Sequence, residues 1–384
     1  MRTLNLGILA HVDAGKTSLT ERLLYDAGVI DEIGSVDDGS TQTDSLALER
    51  QRGITIKSAV VSFVVGDVAV NLIDTPGHPD FIAEVERVLN VLDGAVLVIS
   101  AVEGVQAQTR VLMRTLQRLR IPTLVFVNKI DRAGARYEGV LDTISQRLTP
   151  GIVAMGSTAS LGSRDASFTP FASGDEAFVA RLTESFADHD DAFLAAYLED
   201  GAAAGSYSRL RTDLADRTAG GQVHPVYFGS AVTGAGVPAL TCGITELLPA
   251  HEGDADGPVA GTVFKVERGD AGEKIAYVRM FTGTLRIRDR LRLGRGSESR
   301  ITAIAVFAAG SAVRRPSVLA GQIGKLWGLS DVRIGDVLGE SSAPAQRPGH
   351  HFAPRRWRRS WCPCPVATEA GCTPRSRSWR SRIR

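Results

Sequence analysis

The first 250 residues contain four short apolar runs, and each is followed at once by a polar segment. The runs are Leu6–Leu9, Asn71–Ile73, Thr123–Val127 and Val226–Phe228. Apolar runs rich in β-branched residues are typical of strands that are buried on both faces of a parallel sheet. We therefore predict an α/β domain over residues 1–250 with a doubly wound sheet. In such a sheet the polar segments meet beyond the carboxyl ends of the strands.

The pattern changes after residue 250. Residues 251–257 are typical of a linker, and beyond it short segments with alternating apolar positions are divided by glycine-rich turns. Alternation with period two predicts strands with one buried face, and hence a small antiparallel β-barrel over residues 258–341. The predicted strands are 261–267, 274–281, 289–293 and 300–307. The aromatic residues expected in the core or lid of the barrel are Phe264, Tyr277 and Trp327.

The segment Ala10-His-Val-Asp-Ala-Gly-Lys-Thr17 follows the first apolar run and precedes a helix-like stretch. Gly15 allows backbone N–H groups to surround phosphates, Lys16 supplies a positive charge, and Thr17 offers a hydroxyl to Mg²⁺. The start of the helix adds its positive end. Alone, the pattern also fits an ordinary glycine-rich turn. With the segments that follow, it predicts a nucleoside triphosphate site.

The second polar segment is Asp74-Thr-Pro-Gly-His78, at the end of a predicted strand. A carboxylate here can act on the metal, and the amide of Gly77 can face the γ-phosphate. A structural Pro-Gly turn with a solvated His78 is the alternative.

The third segment is Asn128-Lys-Ile-Asp131. The Asp131 carboxylate can accept hydrogen bonds from a ring N–H and an exocyclic amine, and guanine offers both donors on one edge. Adenine would leave the carboxylate unsatisfied. GTP is therefore favoured over ATP. The backbone at Ser230 and Ala231 can close over the base from the other side, although this motif alone is weak.

Between the first two segments lies Leu48-Glu-Arg-Gln-Arg-Gly-Ile-Thr-Ile56. In the triphosphate state Thr55 can place a hydroxyl on Mg²⁺, which would make this stretch a switch ordered by the γ-phosphate. An exposed helix end with solvated charges is the alternative.

Together these motifs define a candidate site. The predicted phosphate-binding residues are Ala10, His11, Val12, Asp13, Ala14, Gly15, Lys16, Thr17, Asp74, Thr75, Pro76, Gly77 and His78. The predicted guanine-binding residues are Asn128, Lys129, Ile130, Asp131, Ser230 and Ala231. For Mg²⁺ we expect Thr17 and Thr55 as ligands, with Asp74 acting through a water molecule.

The loop AHVDAGKT, the switch RGITI, DTPGH and NKID resemble the GTPase domain of translational elongation factors. Within that family, residues 1 to about 340 are similar to the ribosomal tetracycline-protection branch of the oxytetracycline-resistance type, which resembles elongation factor G. The resemblance implies GTP hydrolysis stimulated by the ribosome, with His78 as the catalytic residue that orients water. It also implies an apolar gate of Val12 and Ile54, and a monovalent cation near Asp13.

Composition agrees with a chain that has sizeable cores, since 43% of 384 residues are apolar. No apolar run is long enough to span a membrane, and no signal-peptide core is present near the start of the sequence, so a cytoplasmic protein is expected. We expect a monomer whose partners are the ribosome and GTP or GDP, without membrane or DNA contacts. The acidic segment 188–191 is expected to begin a helix, and His224 and His251 are expected at the surface or in turns.

Residues 347–384 differ abruptly from the rest. They hold ten Arg and one acidic residue, with three of the four Trp and three of the four Cys, and no periodic apolar face. A metal site and a basic RNA-binding arm are possible interpretations, but we favour an out-of-frame or disordered tail.

Three functional hypotheses follow. The first is an enzyme that releases tetracycline from ribosomes with GTP. The second is a truncated GTP-binding module that lacks effector domains, and the third is a translocase similar to elongation factor G.

Overall fold

The computed structural model describes residues 2–34, 59–75, 82–187, 206–292, 298–308 and 310–339. The switch residues Ile54 and Thr55, the residues Pro76, Gly77 and His78, the predicted helix start at 188–191 and the basic tail lie outside the described residues.

The first domain is built on a seven-stranded sheet. Its strands are β1 (Arg2–Ala10), β2 (Ala59–Val65), β3 (Val68–Asp74), β4 (Gly94–Ser100), β5 (Thr123–Asn128), β6 (Ile152–Ala154) and β9 (His224–Phe228). Their order in the sheet is β2-β3-β1-β4-β5-β9-β6. All neighbouring pairs are parallel except β2 with β3. A separate hairpin pairs β7 (Gly156–Ala159) with β8 (Ser167–Pro170).

Seven helices lie in the described part of this domain. They are α1 (Lys16–Asp26), α2 (Ile82–Leu89), α3 (Ala107–Arg118), α4 (Glu138–Arg147), α5 (Glu176–Ala187), α6 (Tyr207–Ala219) and α7 (Val237–Leu247). The longest, α6, has 13 residues. None of the described helices combines the length and hydropathy that a membrane span needs.

The two faces of the sheet bury different residues of the same strands. Val96 and Val98 of β4 belong to one apolar cluster, together with residues of α1, α5, α6 and α7. Leu97 and Ile99 of the same strand belong to a second cluster, which includes residues of α2, α3 and α4. Because successive side chains of a strand point to opposite faces, this alternation places helices on both sides. The predicted doubly wound α/β fold is confirmed.

One side chain is placed differently from the sequence prediction. We expected His224 at the surface, but it begins β9 with 2% of its area exposed. Its Nδ1 lies 3.2 Å from the carbonyl oxygen of Thr123 and therefore donates to it. Burial lowers the pKa of this imidazole. The prediction was wrong because β9 starts two residues before the apolar run, so that His224 falls between β5 and β6. His251 is exposed, as expected.

The second domain is the predicted antiparallel β-barrel. Its strands are β10 (Ala260–Arg268), β11 (Lys274–Thr282), β12 (Thr284–Arg286), β13 (Arg290–Arg292), β14 (Glu298–Arg300), β15 (Ala303–Ala308), β16 (Ser311–Arg315), β17 (Ser317–Leu319), β18 (Ile323–Trp327) and β19 (Val337–Leu338). The larger sheet has the order β16-β15-β18-β11-β10-β19, and two short pairs, β12 with β17 and β13 with β14, complete the barrel.

The predicted single strand over 300–307 is two strands. The backbone N–H of Ile301 donates to Asp289, whereas that of Thr302 donates to Trp327. The chain therefore passes from the β13 pair to β18 within two residues, and an apolar alternation cannot show such a change of partner. Phe264 and Tyr277 are buried as expected, and Trp327 is half-buried beneath the guanidinium of Arg314.

A buried ion pair joins the barrel to the sheet. Nη2 of Arg279 on β11 donates to both carboxylate oxygens of Asp93, at 2.9 and 3.2 Å. Asp93 precedes β4 and also accepts the backbone and side-chain N–H groups of Asn5 on β1, at 2.8 and 2.7 Å. The side chains of Arg279 and Asp93 are 5% and 11% exposed. The side-chain amides of Asn5 and Asn71 are themselves joined, so the network reaches β3.

An apolar cluster lies beside this ion pair. It combines Val60 of β2, Ile73 of β3 and Val88 of α2 with Phe264 and Tyr277 of the barrel. The barrel therefore packs against β2 and α2. β2 is the first described element after residues 35–58, and α2 is the first described element after residues 76–81.

We predict that Arg279→Met lowers the free energy of unfolding by about 3–5 kcal/mol, because it leaves the Asp93 carboxylate buried without its counter-charge. Urea-induced unfolding of the chain measures the change. Arg2→Met is the matched control, since Arg2 forms an ion pair with Asp67 in which both side chains are exposed. Equal urea midpoints for the two variants would contradict the predicted contribution of the Arg279–Asp93 ion pair to the free energy of unfolding.

Candidate nucleotide site

Four loops meet at one edge of the sheet. β1, β3, β5 and β9 end at Ala10, Asp74, Asn128 and Phe228, and all run parallel. β1 pairs with β3 on one side and with β4 on the other, so successive connections leave β1 in opposite directions. Doubly wound sheets bind ligands at such a switch point, beyond the carboxyl ends of the strands.

The loop between β1 and α1 has the backbone of a phosphate-binding turn. Asp13 and Gly15 both have positive φ, at 63° and 89°. The N–H of Ala14 donates to the carbonyl of His11 at 3.3 Å. Alternation of left-handed and right-handed residues produces a concavity of N–H groups that favours anions. α1 starts at Lys16, directly after Gly15, and brings the positive end of its dipole to the same place.

Gly15 is required by its surroundings as well as by its φ angle. A Cβ at this position would collide with the side-chain amide nitrogen of Asn128. The close approach of the phosphate loop to β5 therefore depends on the missing side chain.

Lys16 and Asp74 form a buried ion pair between the first two loops. Their side chains are 7% and 0% exposed. The hydroxyl of Thr75 donates to the carbonyl of Ile8 at 2.8 Å, which fixes the end of β3 to β1. Thr17 is half-buried in the first turn of α1. The Thr17 hydroxyl and the Asp74 carboxylate are oxygen donors of the kind that Mg²⁺ prefers, so the described residues fit this ion.

The Asn128 side chain joins three of the loops. Its Nδ2 donates to the carbonyl of Ala14 at 2.9 Å, and its Oδ1 accepts the N–H of Ala231 at 2.9 Å. Asn128 and Ala231 are 2% and 1% exposed. Both halves of the amide are thus used, and each bond connects Asn128 to a different segment of the chain.

The segment after β5 turns sharply to reach the site. Lys129 has a φ of 69°, and the N–H of Ile130 donates to the carbonyl of Gly229 at 3.2 Å. Ile130 is buried, while Asp131 is half-buried and follows it in the turn. Asp131 therefore lies beside the loop that contains Ser230, which is 1% exposed.

Glu103 connects two of these loops and was missed by the sequence analysis. Its carboxylate lies 3.3 Å from Nε2 of His11 and 3.5 Å from Nζ of Lys129. Nδ1 of His11 lies 3.1 Å from the hydroxyl of Thr109 on α3. Burial lowers the pKa of His11, and the hydrogen bond with Glu103 partly offsets this. Glu103 follows β4, so the rule that placed the other loops at this edge would also have found it.

The described residues bring together the phosphate loop, Asp74 and the two predicted base segments. Val12 is half-buried and Asp13 is exposed in the phosphate loop. The gate formed with Ile54, the Thr55 ligand, the Pro76-Gly77 turn and the role of His78 fall outside the described residues and stay predictions, as does the cation near Asp13. Among the described residues, no cluster of three or more His, Cys, Asp or Glu side chains is placed to hold a metal ion.

These features define a nucleotide-binding domain with a phosphate loop, joined to a β-barrel. The family model for the elongation factor Tu GTP binding domain matches residues 1–250, and that for elongation factor G domain 2 matches residues 258–341. The chain therefore belongs to the family of translation factors that share the elongation factor Tu GTP-binding domain. This confirms the predicted GTPase domain.

Curated relatives carry the resemblance further. The chain is 58% identical to the oxytetracycline resistance protein of Streptomyces rimosus, over 92% of this chain and 54% of that protein. It is 49% identical to the tetracycline resistance protein TetM of Streptomyces lividans, over 92% of this chain and 55% of that protein. The predicted resemblance to the oxytetracycline-resistance type is confirmed. The chain spans about half the length of these relatives.

A solved structure supports the fold. A protein of Thermus thermophilus superposes with a TM-score of 0.76 and 25% identity, over 89% of this chain and 55% of that one.

We predict that Gly15→Ala lowers the affinity for GTP at least about tenfold, because the new Cβ meets the Asn128 amide in addition to the left-handed strain of about 1–2 kcal/mol. Titration with a fluorescent GTP analogue measures this. Gly28→Ala is the matched control, since Gly28 has a φ of 68° but nothing within 4 Å of a new Cβ. The same loss of affinity in both variants would show that strain alone is responsible.

Proposed function

We propose that this chain is a ribosome-associated GTPase of the tetracycline-protection type, which uses GTP to release tetracycline from the ribosome in the cytoplasm. The observation that carries the proposal is the Asn128 side chain, which holds the phosphate loop and both base segments in one site. The similarity to an oxytetracycline resistance protein supports the choice of this branch.

In the proposed site, the N–H groups of residues 10–17 bind the phosphates, with the Lys16 ammonium as the positive charge. Thr17 and Thr55 would hold Mg²⁺, with Asp74 acting through a water molecule. Bound there, Mg²⁺ would supply positive charge that neutralises the phosphates. Lys16 and Asp74 form an ion pair with each other. In the proposed complex Lys16 would instead face the negative phosphates, and Asp74 would instead face the positive magnesium ion.

For the base, Asp131 accepts two hydrogen bonds from the guanine edge, while the backbone at Ser230 and Ala231 covers the opposite side. For hydrolysis, His78 orients the attacking water, and Val12 with Ile54 holds His78 aside until the ribosome is bound. Asp13 helps to hold a monovalent cation beside the phosphates. The roles of His78, Val12 and Ile54 are carried over from the family resemblance.

The proposal is tested with purified ribosomes loaded with labelled tetracycline. We expect the chain to hydrolyse GTP faster when ribosomes are present, and to release the label with GTP but not with GDP. Binding of GTP without release would overturn the proposed activity of this chain and would leave a guanine-nucleotide-binding module.

We predict that His78→Ala keeps the affinity for GTP but loses ribosome-stimulated hydrolysis by at least about 100-fold, because positioning of water acts in the transition state rather than in binding. Single-turnover hydrolysis and equilibrium binding are measured in parallel. His251→Ala, which removes an exposed histidine of the linker, is the control. An equal loss of binding and hydrolysis would contradict the role of His78.

We predict that Asp131→Asn shifts base preference from guanine toward xanthine, because the amide donates a hydrogen bond where the carboxylate accepted one. Competition between GTP and XTP for one fluorescent nucleotide measures the shift. Asp142→Asn on α4 removes an exposed carboxylate and should leave the preference unchanged. Unaltered guanine selectivity in Asp131→Asn would show that another group reads the base.

A further inference from the structure

Arg22 on α1 contacts the loop that follows β9, far away in sequence. Its Nε donates to the carbonyl of Ala231 at 3.0 Å, and its Nη2 donates to the carbonyl of Val232 at 2.7 Å. Two consecutive carbonyls are thus held by one planar guanidinium, whose donors have fixed relative directions. This loop, residues 229–236, is called the base loop below.

The Arg22 side chain is itself held in place. It is 15% exposed, and its Nη1 lies 3.9 Å from the carboxylate of Asp26 one turn later in α1. Its guanidinium also lies 5.6 Å from the ring centroid of Tyr25. These contacts restrict the rotamers of the side chain that makes the two hydrogen bonds to the base loop.

The bond to Ala231 fixes the orientation of a whole peptide group. The carbonyl of Ala231 and the N–H of Val232 belong to one planar unit, and the described backbone has no cis peptide bond. In a trans peptide the N–H points opposite to the C=O. With the carbonyl turned toward Arg22, the Val232 N–H is directed away from α1.

The neighbouring N–H groups of the base loop are already used. Those of Thr233 and Gly234 donate to the hydroxyl and the carbonyl of Ser230, at 3.2 and 2.8 Å. That of Ser230 donates to Ala235, and that of Ala231 donates to Asn128. Within residues 230–234, the Val232 N–H is the backbone N–H group that has no acceptor among the described residues. Val232 is 65% exposed.

We propose that Arg22 is a positioning residue for the purine base. It orients the 231–232 peptide so that the Val232 N–H donates to the six-position carbonyl oxygen of guanine. The inference rests on the proposed function, because it assumes that the base lies against this loop. In this proposal α1 connects the part of the protein that binds the phosphates with the part that binds the base. α1 starts at Lys16 in the phosphate loop, and Arg22 lies six residues further along the same rigid helix.

A purely structural role for Arg22 makes a different prediction. If Arg22 only stabilised the fold, its loss would weaken all nucleotides alike. If it positions a donor for the six-oxygen, its loss affects nucleotides that carry this oxygen and spares those that lack it. GTP and 2-aminopurine riboside triphosphate form a suitable pair, because they share the phosphates, the ribose and the two-amino group. They also differ at N1, where only guanine has an N–H for Asp131, so the test compares the change in affinity that each variant causes for each nucleotide rather than the two affinities themselves.

The experiment measures the dissociation constants of both nucleotides, with Mg²⁺, for the 384-residue chain and for Arg22→Ala and Arg22→Lys. Loss of charge-assisted hydrogen bonds should weaken GTP binding about tenfold in Arg22→Ala. Binding of the 2-aminopurine nucleotide should change less than about twofold, since its contacts are not altered. Arg22→Lys keeps the charge but cannot donate as a planar fork, so it should show the same selective loss in smaller degree.

Arg211→Ala is the matched control. Like Arg22, Arg211 combines an ion pair, here with Glu246, and a contact with an aromatic ring, here Tyr207 at 5.9 Å to the centroid, but these partners lie on α7 and α6 rather than in the base loop. It should leave the affinity for both nucleotides unchanged. Thermal melting of each variant verifies folding.

The possible failures are distinguishable. A wild-type chain that binds both nucleotides equally would refute recognition of the six-oxygen, and with it this part of the proposed function. A selective wild-type chain in which Arg22→Ala weakens both nucleotides by the same factor, or neither, would overturn only the role of Arg22.

Discussion

The nucleotide site depends on one buried amide. The Asn128 side chain has a donor and an acceptor, and both are used to connect chain segments more than one hundred residues away. Burying such a group costs free energy unless its hydrogen bonds are made. The amide therefore needs the loops as hydrogen-bond partners, and the loops are held in place by the amide. Gly15 meets this requirement on one side by leaving room for the amide. The geometry of the site therefore results from satisfying the hydrogen bonds of a few polar groups, with the apolar sheet as a rigid base.

Two buried ion pairs have contrasting positions around the seven-stranded sheet. Lys16 and Asp74 lie at the edge where the loops meet, and in the proposed site a magnesium nucleotide would supply charges of both signs to replace each partner. Arg279 and Asp93 lie at the junction with the barrel, where Asn5 and the carbonyl of Gly321 supply further hydrogen bonds. The first pair suits exchange with a ligand. The second is fixed by its neighbours and joins two domains.

Much of the fold could be predicted because its signals are local. The runs before Lys16, Asp74 and Asn128 are continuous in sequence, and the polar residues that follow them belong to the same strand ends. Other features could not be predicted, since they depend on partners far apart in the chain. Arg22, for example, reaches the site across 209 positions of sequence. The break between β14 and β15 depends on which strand lies beside each residue, and hydrophobic periodicity contains no such information.

The position of the barrel has a consequence for how this chain can vary. Phe264 and Tyr277 pack against Val60, Ile73 and Val88, which belong to the elements around the segments that carry Thr55 and His78. A change of side-chain volume in this cluster would shift those elements without altering any group that meets the nucleotide. Under the proposed roles of Thr55 and His78, substitutions in the barrel would therefore act on the nucleotide site through β2, β3 and α2.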